Sequence, residues 1–255
     1  MISRNQIKYI NSLKLGKFRH ISRTFIAEGP KLLEEILDSK LEIESVFALG
    51  QYLEENKDIL NDLDCYEVSE TELDKISTLK TPNKVLAVVN IPETNIDLND
   101  LGTNQALALN DIRDPGNMGT IIRTADWFGI RQIFCSKECV DIYNPKVVQS
   151  TMGSIARVKV HYLNLEDFLK QHSGNIPTFA ATMSGHNIYD EMLPDKGIIF
   201  IGNESHGIPP ELIRNIERQV SIPAGESTTE SLNASIATAI ILSEFRRQKP
   251  LLKQN

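Results

Sequence analysis

Residues 110–129, NDIRDPGNMGTIIRTADWFG, change character twice, and no other stretch constrains the fold of this chain as tightly. The apolar run Gln105–Leu109 before them has the length and composition of a buried strand. It gives way to a polar loop, residues 111–119, punctuated by Pro115, Gly116 and Gly119, and then to a helical pattern. A buried strand running through a loop into a helix is the repeating joint of an α/β sheet. Ligands gather outside the carboxyl ends of such strands, because helix amino termini there offer unpaired N–H groups and favour negative charge. Asn117 and Arg123 stand at the start of the helix and in its second turn. Taken alone, the segment reads equally as a solvated loop followed by an ordinary surface arginine.

Two later segments have the same grammar. Residues 197–209, GIIFIGNESHGIP, run from an apolar stretch into Gly202, Asn203 and Glu204, a turn, and Pro209 at a helix start. Residues 220–235, VSIPAGESTTESLNAS, place Ser231 where an N-cap is expected before an apolar helical run over 232–245, with Asn233 in the first turn of that helix. Three strand ends bearing Asn, Arg, Glu, Ser and Asn read as one polar cluster assembled from distant sequence. Strand-like runs at 105–110, 131–135, 157–162, 177–182, 197–202 and 218–222 alternate with helical patterns, which predicts a mainly parallel sheet covered on both faces. Upstream, a helix is expected over 6–15, a strand over 24–27 and a helix over 31–37 started by Pro30. Apolar runs at 43–49 and 85–91 bracket a further helix over 70–77 with Ser69 as its N-cap. Residues 91–104 are polar, carry Pro and Gly and have no period. They divide the 255 residues into domains 1–95 and 105–255 joined by a linker at 96–104.

Several chemistries are excluded by what is missing. No apolar run reaches the length of a membrane span, and the basic amino end lacks the apolar core of a secretory signal, so a cytoplasmic protein is expected. Cys65, Cys135 and Cys139 are odd in number and have no Cys-x-x-Cys spacing, which predicts buried reduced thiols and no zinc. No Gly-x-Gly occurs, so the dinucleotide fingerprint is missing, and the Gly202 to Gly207 loop lacks the Lys-Ser or Lys-Thr of a P-loop. The histidines at 20, 161, 172, 186 and 206 are scattered without ligand spacing. His206 alone falls in a candidate site, where a turn or surface role suits it better than that of a base.

The stretches DPGNMGTIIRTADWFG, FIGNESHGIP and SIPAGESTTESLNASIATAIILSEFRRQ resemble the three motifs of the SpoU-type (TrmH-like) branch of the SPOUT RNA methyltransferases, and together they anchor residues 105–248. Upstream, RTFIAEGPKLLEEIL at 23–37 resembles the start of the small substrate-recognition domain that precedes the catalytic domain in many members, an α/β domain similar to ribosomal-protein-like RNA-binding domains. Ala224 stands after Pro223 where relatives often carry Met, against the expected cofactor wall. Spacing alone describes a doubly wound α/β fold. The resemblance implies an α/β knot, with a mainly parallel sheet and a trefoil knot in which the third motif threads a loop beside the second; true knots are otherwise very rare.

The resemblance also implies chemistry. The cofactor would be S-adenosylmethionine, with Thr182, Met183, Gly202, Ile222 and Leu232 around its adenosine, although Ile222 and Leu232 alone read as core. The reaction would be methyl transfer to a ribose 2′-hydroxyl of RNA, ribosomal RNA ahead of transfer RNA, by a two-fold homodimer whose active site is completed across the interface. Arg123 would grip the phosphate beside the target ribose and polarise its 2′-oxygen. Guanidinium groups keep their proton in proteins, so it would act electrostatically and not as a base. Asn117, Glu204 and Asn233 would orient the nucleotide or hold Arg123, Glu204 by pairing with it, and Ser231 would bind phosphate or cap its helix. An ion pair with Asp126 is the plain alternative for Arg123, and an intramolecular core is the alternative for the apolar face of the last helix, Ile236, Ile240, Ile241 and Phe245. A non-catalytic RNA-binding protein of ribosome assembly is a second reading of the whole, and a methyltransferase of protein or small molecules a third.

A net charge of −7 is unexpected for an RNA partner until its distribution is considered. Residues 1–31 hold seven basic side chains against one acidic, residues 32–100 hold five against seventeen, and the remainder is nearly balanced. Phosphate contact depends on local cations, so the basic amino end is an RNA edge or a solvated helix face. No DNA and no membrane partner is expected.

Overall fold

The computed structural model describes residues 2–172, 174–225 and 231–248. The chain divides into two compact units, Met1–Glu93 with Asp141–Arg157, and Thr94–Val140 with Val158–Asn255.

The first unit opens with α1 (Arg4–Ser12), closed at its start by a capping box in which Ser3 Oγ accepts from Gln6 N and Gln6 Oε1 accepts from Ser3 N. The helix expected over 6–15 breaks after Ser12 and resumes as α2 (Gly16–Ser22), which ends on Arg23 in the left-handed region at φ 59°. There follow β1 (Thr24–Glu28), α3 (Pro30–Leu37), β2 (Ile43–Ala48), α4 (Gly50–Glu55), α5 (Lys57–Leu60), β3 (Cys65–Glu67), α6 (Glu70–Ile76) and β4 (Val85–Asn90). The sheet order is β1-β4-β2-β3, with β4 antiparallel to both neighbours and β3 parallel to β2. Alternation along the strands loads both faces. Phe25, Ala27, Val46 and Ala87 share one core with Leu32, Leu33 and Ile36 of α3, while Ile26, Phe47, Leu86 and Val88 meet Ile10 of α1 and Ile76 of α6.

The second unit begins inside the stretch read as a linker. Asp97 accepts from Asn99 N and Asp100 N and so starts α7 (Leu98–Thr103), which buries Leu101. A single apolar anchor is too little for a period to show, which is why sequence left these residues structureless. β5 (Gln105–Leu109), α8 (Pro115–Trp127) and β6 (Gln132–Cys135) come next. The chain then leaves for the first unit, forms α9 (Pro145–Thr151) there, and returns as β7 (Lys159–Tyr162). α10 (Leu165–His172), β8 (Thr178–Asn187), β9 (Gly197–Ile201), α11 (Pro210–Ile213), β10 (Arg218–Ser221) and α12 (Ala234–Gln248) complete it. All pairs in this sheet are parallel, in the order β10-β8-β9-β5-β6-β7. The expected mainly parallel sheet is present, and α12 packs on α8 and meets β8 where Phe245 lies edge-on to Phe179 at 5.1 Å.

Two features of this sheet place the site. From β5 the chain winds toward β7, and from β9 it winds toward β10, so the topological switch lies between the adjacent strands β5 and β9. In addition, β8 leaves β9 after Ala180, and its register against β10 jumps from Ala180↔Gln219 to His186↔Val220. Residues 181–185 therefore bulge from the carboxyl half of β8. The return from β10 to α12 runs through residues 226–230, so the threading of the expected trefoil knot lies outside the described residues.

The excursion Asp141–Arg157 belongs to the first unit, although sequence placed it in the second domain. Val148 and Ile155 enter that unit's core, the Tyr143 ring lies 4.9 Å from Phe25, and Arg157 pairs with Glu35. The buried Arg19 donates to Asp141 Oδ2 from Nε at 2.9 Å and Nη2 at 2.6 Å. These partners are far apart in the chain, and no local pattern announces such contacts.

Candidate active site

The loop after β5 is shaped before it reaches any ligand. Asp111 sits in the left-handed region at φ 57°, a conformation tolerated by Asp and Asn among non-glycine residues. Its N–H donates to Ser136 Oγ at 3.1 Å, and the next N–H, of Ile112, donates to Cys139 Sγ at 3.3 Å. Cys135, Cys139 and Cys65 are free thiols. The hydrogen bond with Cys135, aided by the Ile112 N–H, pulls the Cys139 thiol below its ordinary pKa against the effect of burial. Asp114 then caps α8, accepting from Asn117 N at 2.8 Å, with Pro115 in the first helical position.

The loop after β9 is latched to this corner. Asn203 Nδ2 donates to Asp111 O at 2.9 Å, and Asn203 Oδ1 accepts from Ser205 N at 2.8 Å. Gly202 is packed so closely that a Cβ there would lie 2.3 Å from the carbonyl carbon of Gly207. Held in this way, Glu204 presents one oxygen, Oε1, to three donors: Asn117 Nδ2 at 2.7 Å, Asn233 Nδ2 at 2.8 Å and Ala234 N at 3.0 Å. Asn233 Nδ2 also donates to Asn117 Oδ1 at 2.9 Å. Three strand ends thus meet in one hydrogen-bonded cluster at the carboxyl edge of the sheet.

Two expected details are corrected. Ser231 is not the N-cap of α12. Asn233 is, its Oδ1 accepting from Ser235 N at 3.0 Å and Ile236 N at 3.3 Å. Both residue types cap well, but burial starts at Ala234 and Leu232 is exposed, so the helix begins later than the apolar letters suggest. Among the described residues, Ser231 Oγ donates to Glu204 O at a long 3.4 Å. Nor does Glu204 pair with Arg123. Six residues of helix carry Arg123 about 9 Å along α8 from Asn117 and about 120° around its axis. It is exposed, and its guanidinium makes no hydrogen bond or ion pair among the described residues. Asp111, Asn203 and the capping Asp114 were not singled out by sequence, although the Asp-Pro pair before an apolar helical run is a start signal that could have found the last of them.

The expected cofactor residues line the same edge. Thr182 and Met183 lie on the bulge of β8, Gly202 follows β9, Ile222 follows β10, and Leu232 precedes α12. Met183 and Leu232 expose much of their apolar side chains. A Cβ on Gly185 would come within 2.6 Å of Val220 backbone atoms, so the bulge closes on β10 through main chain alone. Main-chain walls with exposed apolar side chains beside them suit a nucleoside, whose edge is read by backbone N–H and C=O groups. Ile222 is half-buried and Leu232 exposed, so neither is plain core.

The profile of the SpoU rRNA Methylase family matches residues 104–243, and that of the MRM3-like substrate binding domain matches residues 4–87. The 23S rRNA (guanosine(2553)-2′-O)-methyltransferase RlmP of Bacillus subtilis (strain 168) is 26% identical over 247 residues, 96% of this chain and 97% of its own length. A TrmH-family protein from Porphyromonas gingivalis has a solved structure with TM-score 0.86 and 36% identity, covering 98% of this chain and 100% of that one. The AdoMet-bound rRNA methyltransferase from Sinorhizobium meliloti gives 0.86 and 30%, covering 99% and 97%. Strand ends gathered at the switch point, the cluster of Asn117, Glu204 and Asn233, and a family match over more than half of its length have one common explanation: the chain belongs to the SpoU rRNA methylase family.

Proposed function

We propose that this protein transfers a methyl group from S-adenosylmethionine to a ribose 2′-hydroxyl of RNA, ribosomal RNA in the first instance. The observation that carries the reading is the convergence of Asn117 and Asn233 on one carboxylate oxygen of Glu204 at the sheet's carboxyl edge. Thr182, Met183, Gly202, Ile222 and Leu232 would hold the adenosine, and the cofactor supplies an electrophilic methyl on a sulfonium. Because a cationic donor becomes neutral, no strong leaving anion needs stabilising. Orientation can therefore carry much of the rate, roughly 7–11 kcal/mol for well-placed reactants.

Arg123 would grip the phosphate next to the target ribose with its planar fork, and Ser231 would offer a hydroxyl to a phosphate oxygen. Its exposed position on α8, away from Glu204, supports a role toward a second subunit of a homodimer, with the site completed across the interface. Residues 1–93 with the excursion 141–157 would serve as the recognition domain, and 94–140 with 158–255 as the catalytic one. A cytoplasmic setting accords with the substrate, and no helix among the described residues is long and apolar enough to cross a membrane.

The test is methyl incorporation from labelled S-adenosylmethionine into 23S rRNA and, separately, tRNA, followed by nucleoside analysis. A 2′-O-methylnucleoside in rRNA supports the reading. Labelled base, or label in neither RNA, overturns it.

A further inference from the structure

The second helix of the chain takes no part in the site described above. Around it, residues 14–23 repeat in steps of three: Lys14, Lys17, His20 and Arg23 in one series, Leu15, Phe18 and Ile21 in the next. Three residues of α-helix turn 300°, so each series winds as a stripe and the two stripes run side by side. The apolar stripe lies open, with Leu15 60%, Phe18 39% and Ile21 69% exposed. Lys17, His20 and Arg23 are exposed beside it. Arg19 breaks the pattern and is the residue that turns inward, 3% exposed and held by Asp141 and Leu13 O. Lys14 Nζ is tied to Ser77 O at 2.8 Å. The helix is thus anchored on its inner side by Arg19, and the residue series is tied at its two ends by Lys14 and by Arg23, whose Nη2 donates to Ile91 O at a long 3.4 Å, while Leu15, Phe18 and Ile21 lie open between them.

An exposed apolar stripe flanked by cations is complementary to a polyanion that offers flat apolar faces. Unpaired nucleotides have both properties, whereas a duplex hides its base faces. Charge supports that occupant over a protein surface, since residues 1–31 carry seven basic side chains against one acidic in a chain of net charge −7. We propose that α2 is a docking surface for an unpaired segment of the RNA substrate, with bases against Leu15, Phe18 and Ile21 and phosphates on Lys17 and Arg23. The proposal rests on the reading that RNA is the substrate and narrows it to a single-stranded or looped region.

Binding of the full-length protein to a short unstructured oligoribonucleotide, and to the same strand annealed to its complement, tests this. The parental chain should prefer the unpaired strand. Phe18→Ala with Ile21→Ala should weaken that binding about tenfold and leave its salt dependence unchanged. Lys17→Gln with Arg23→Asn should flatten the log–log salt slope by about 1.4, the value for two phosphate contacts on a single strand. Asn suits position 23 because it tolerates the left-handed backbone there. Thermal melting of each variant separates misfolding from lost contacts, and single variants Phe18→Leu and Lys17→Met serve where a double variant fails to fold. Equal affinity for both RNAs, or affinities within twofold of parental in folded variants, overturns the docking surface. A parental chain that methylates no RNA defeats the preceding reading instead, while the binding comparison still decides the surface.

Discussion

At the scale of single residues, Glu204 is where the three loops are joined. A carboxylate oxygen accepting from Asn117, Asn233 and the Ala234 N–H joins all three loops at a single atom. Water can replace these bonds at an exposed position, so Glu204→Ala should cost only about 1 kcal/mol of stability. Misplacing the reacting groups by an ångström can cost about 10²-fold, and that is the expected fall in methyl transfer, read by single-turnover assay beside a melting curve. Asn233 has two separable duties. Asn233→Ser keeps a capping oxygen and loses the second donor, so activity should drop while stability holds within a few tenths of a kcal/mol; Asn233→Ala should lose about 1 kcal/mol in addition. Arg123→Ala should nearly abolish transfer yet leave cofactor affinity within a few-fold by calorimetry, and near-parental turnover would remove the role assigned to it. Sequence disclosed Asn117, Glu204 and Asn233 because each follows an apolar run that ends abruptly. It could not disclose that Glu204 holds Asn117 rather than Arg123, since that depends on rotation about α8.

At the scale of elements, the bulge in β8 is the decisive departure from a regular sheet. Gly185 lets β8 and β10 close main chain to main chain. A methyl group there must push the two strands apart, so Gly185→Ala should destabilise by about 1–3 kcal/mol and weaken cofactor binding, measured by thermal denaturation and calorimetry. Unchanged cofactor affinity in the folded variant would separate the bulge from the cofactor site. The inner strands β4, β5, β6 and β9, and β1 beside β4, were legible because they are buried on both faces and read as continuous apolar runs. β3 escaped notice because it is three residues long and two of them are exposed. The β8 bulge escaped because nothing but a glycine marks it.

At the scale of the whole molecule, the chain passes between its two units three times, after Glu93, after Val140 and after Arg157. A fragment of residues 105–255 therefore carries Tyr143, Val148 and Ile155 without the core they fill, and residues 1–95 alone leave the buried Arg19 without Asp141. The longer fragment should self-associate where the full chain does not aggregate, and the full chain should unfold in one calorimetric transition. Two well-separated transitions, or a monodisperse fragment with full cofactor affinity, would show the excursion to be dispensable. Light scattering at micromolar concentration tests the proposed dimer, which a monomer would refute. The excursion was invisible to sequence because its period is that of any short amphipathic helix. Its consequence reaches beyond stability. A recognition module tethered by one joint can be exchanged like a cassette, but this one is stitched through its neighbour, so any chimaera that re-targets the enzyme must transplant two non-contiguous stretches together.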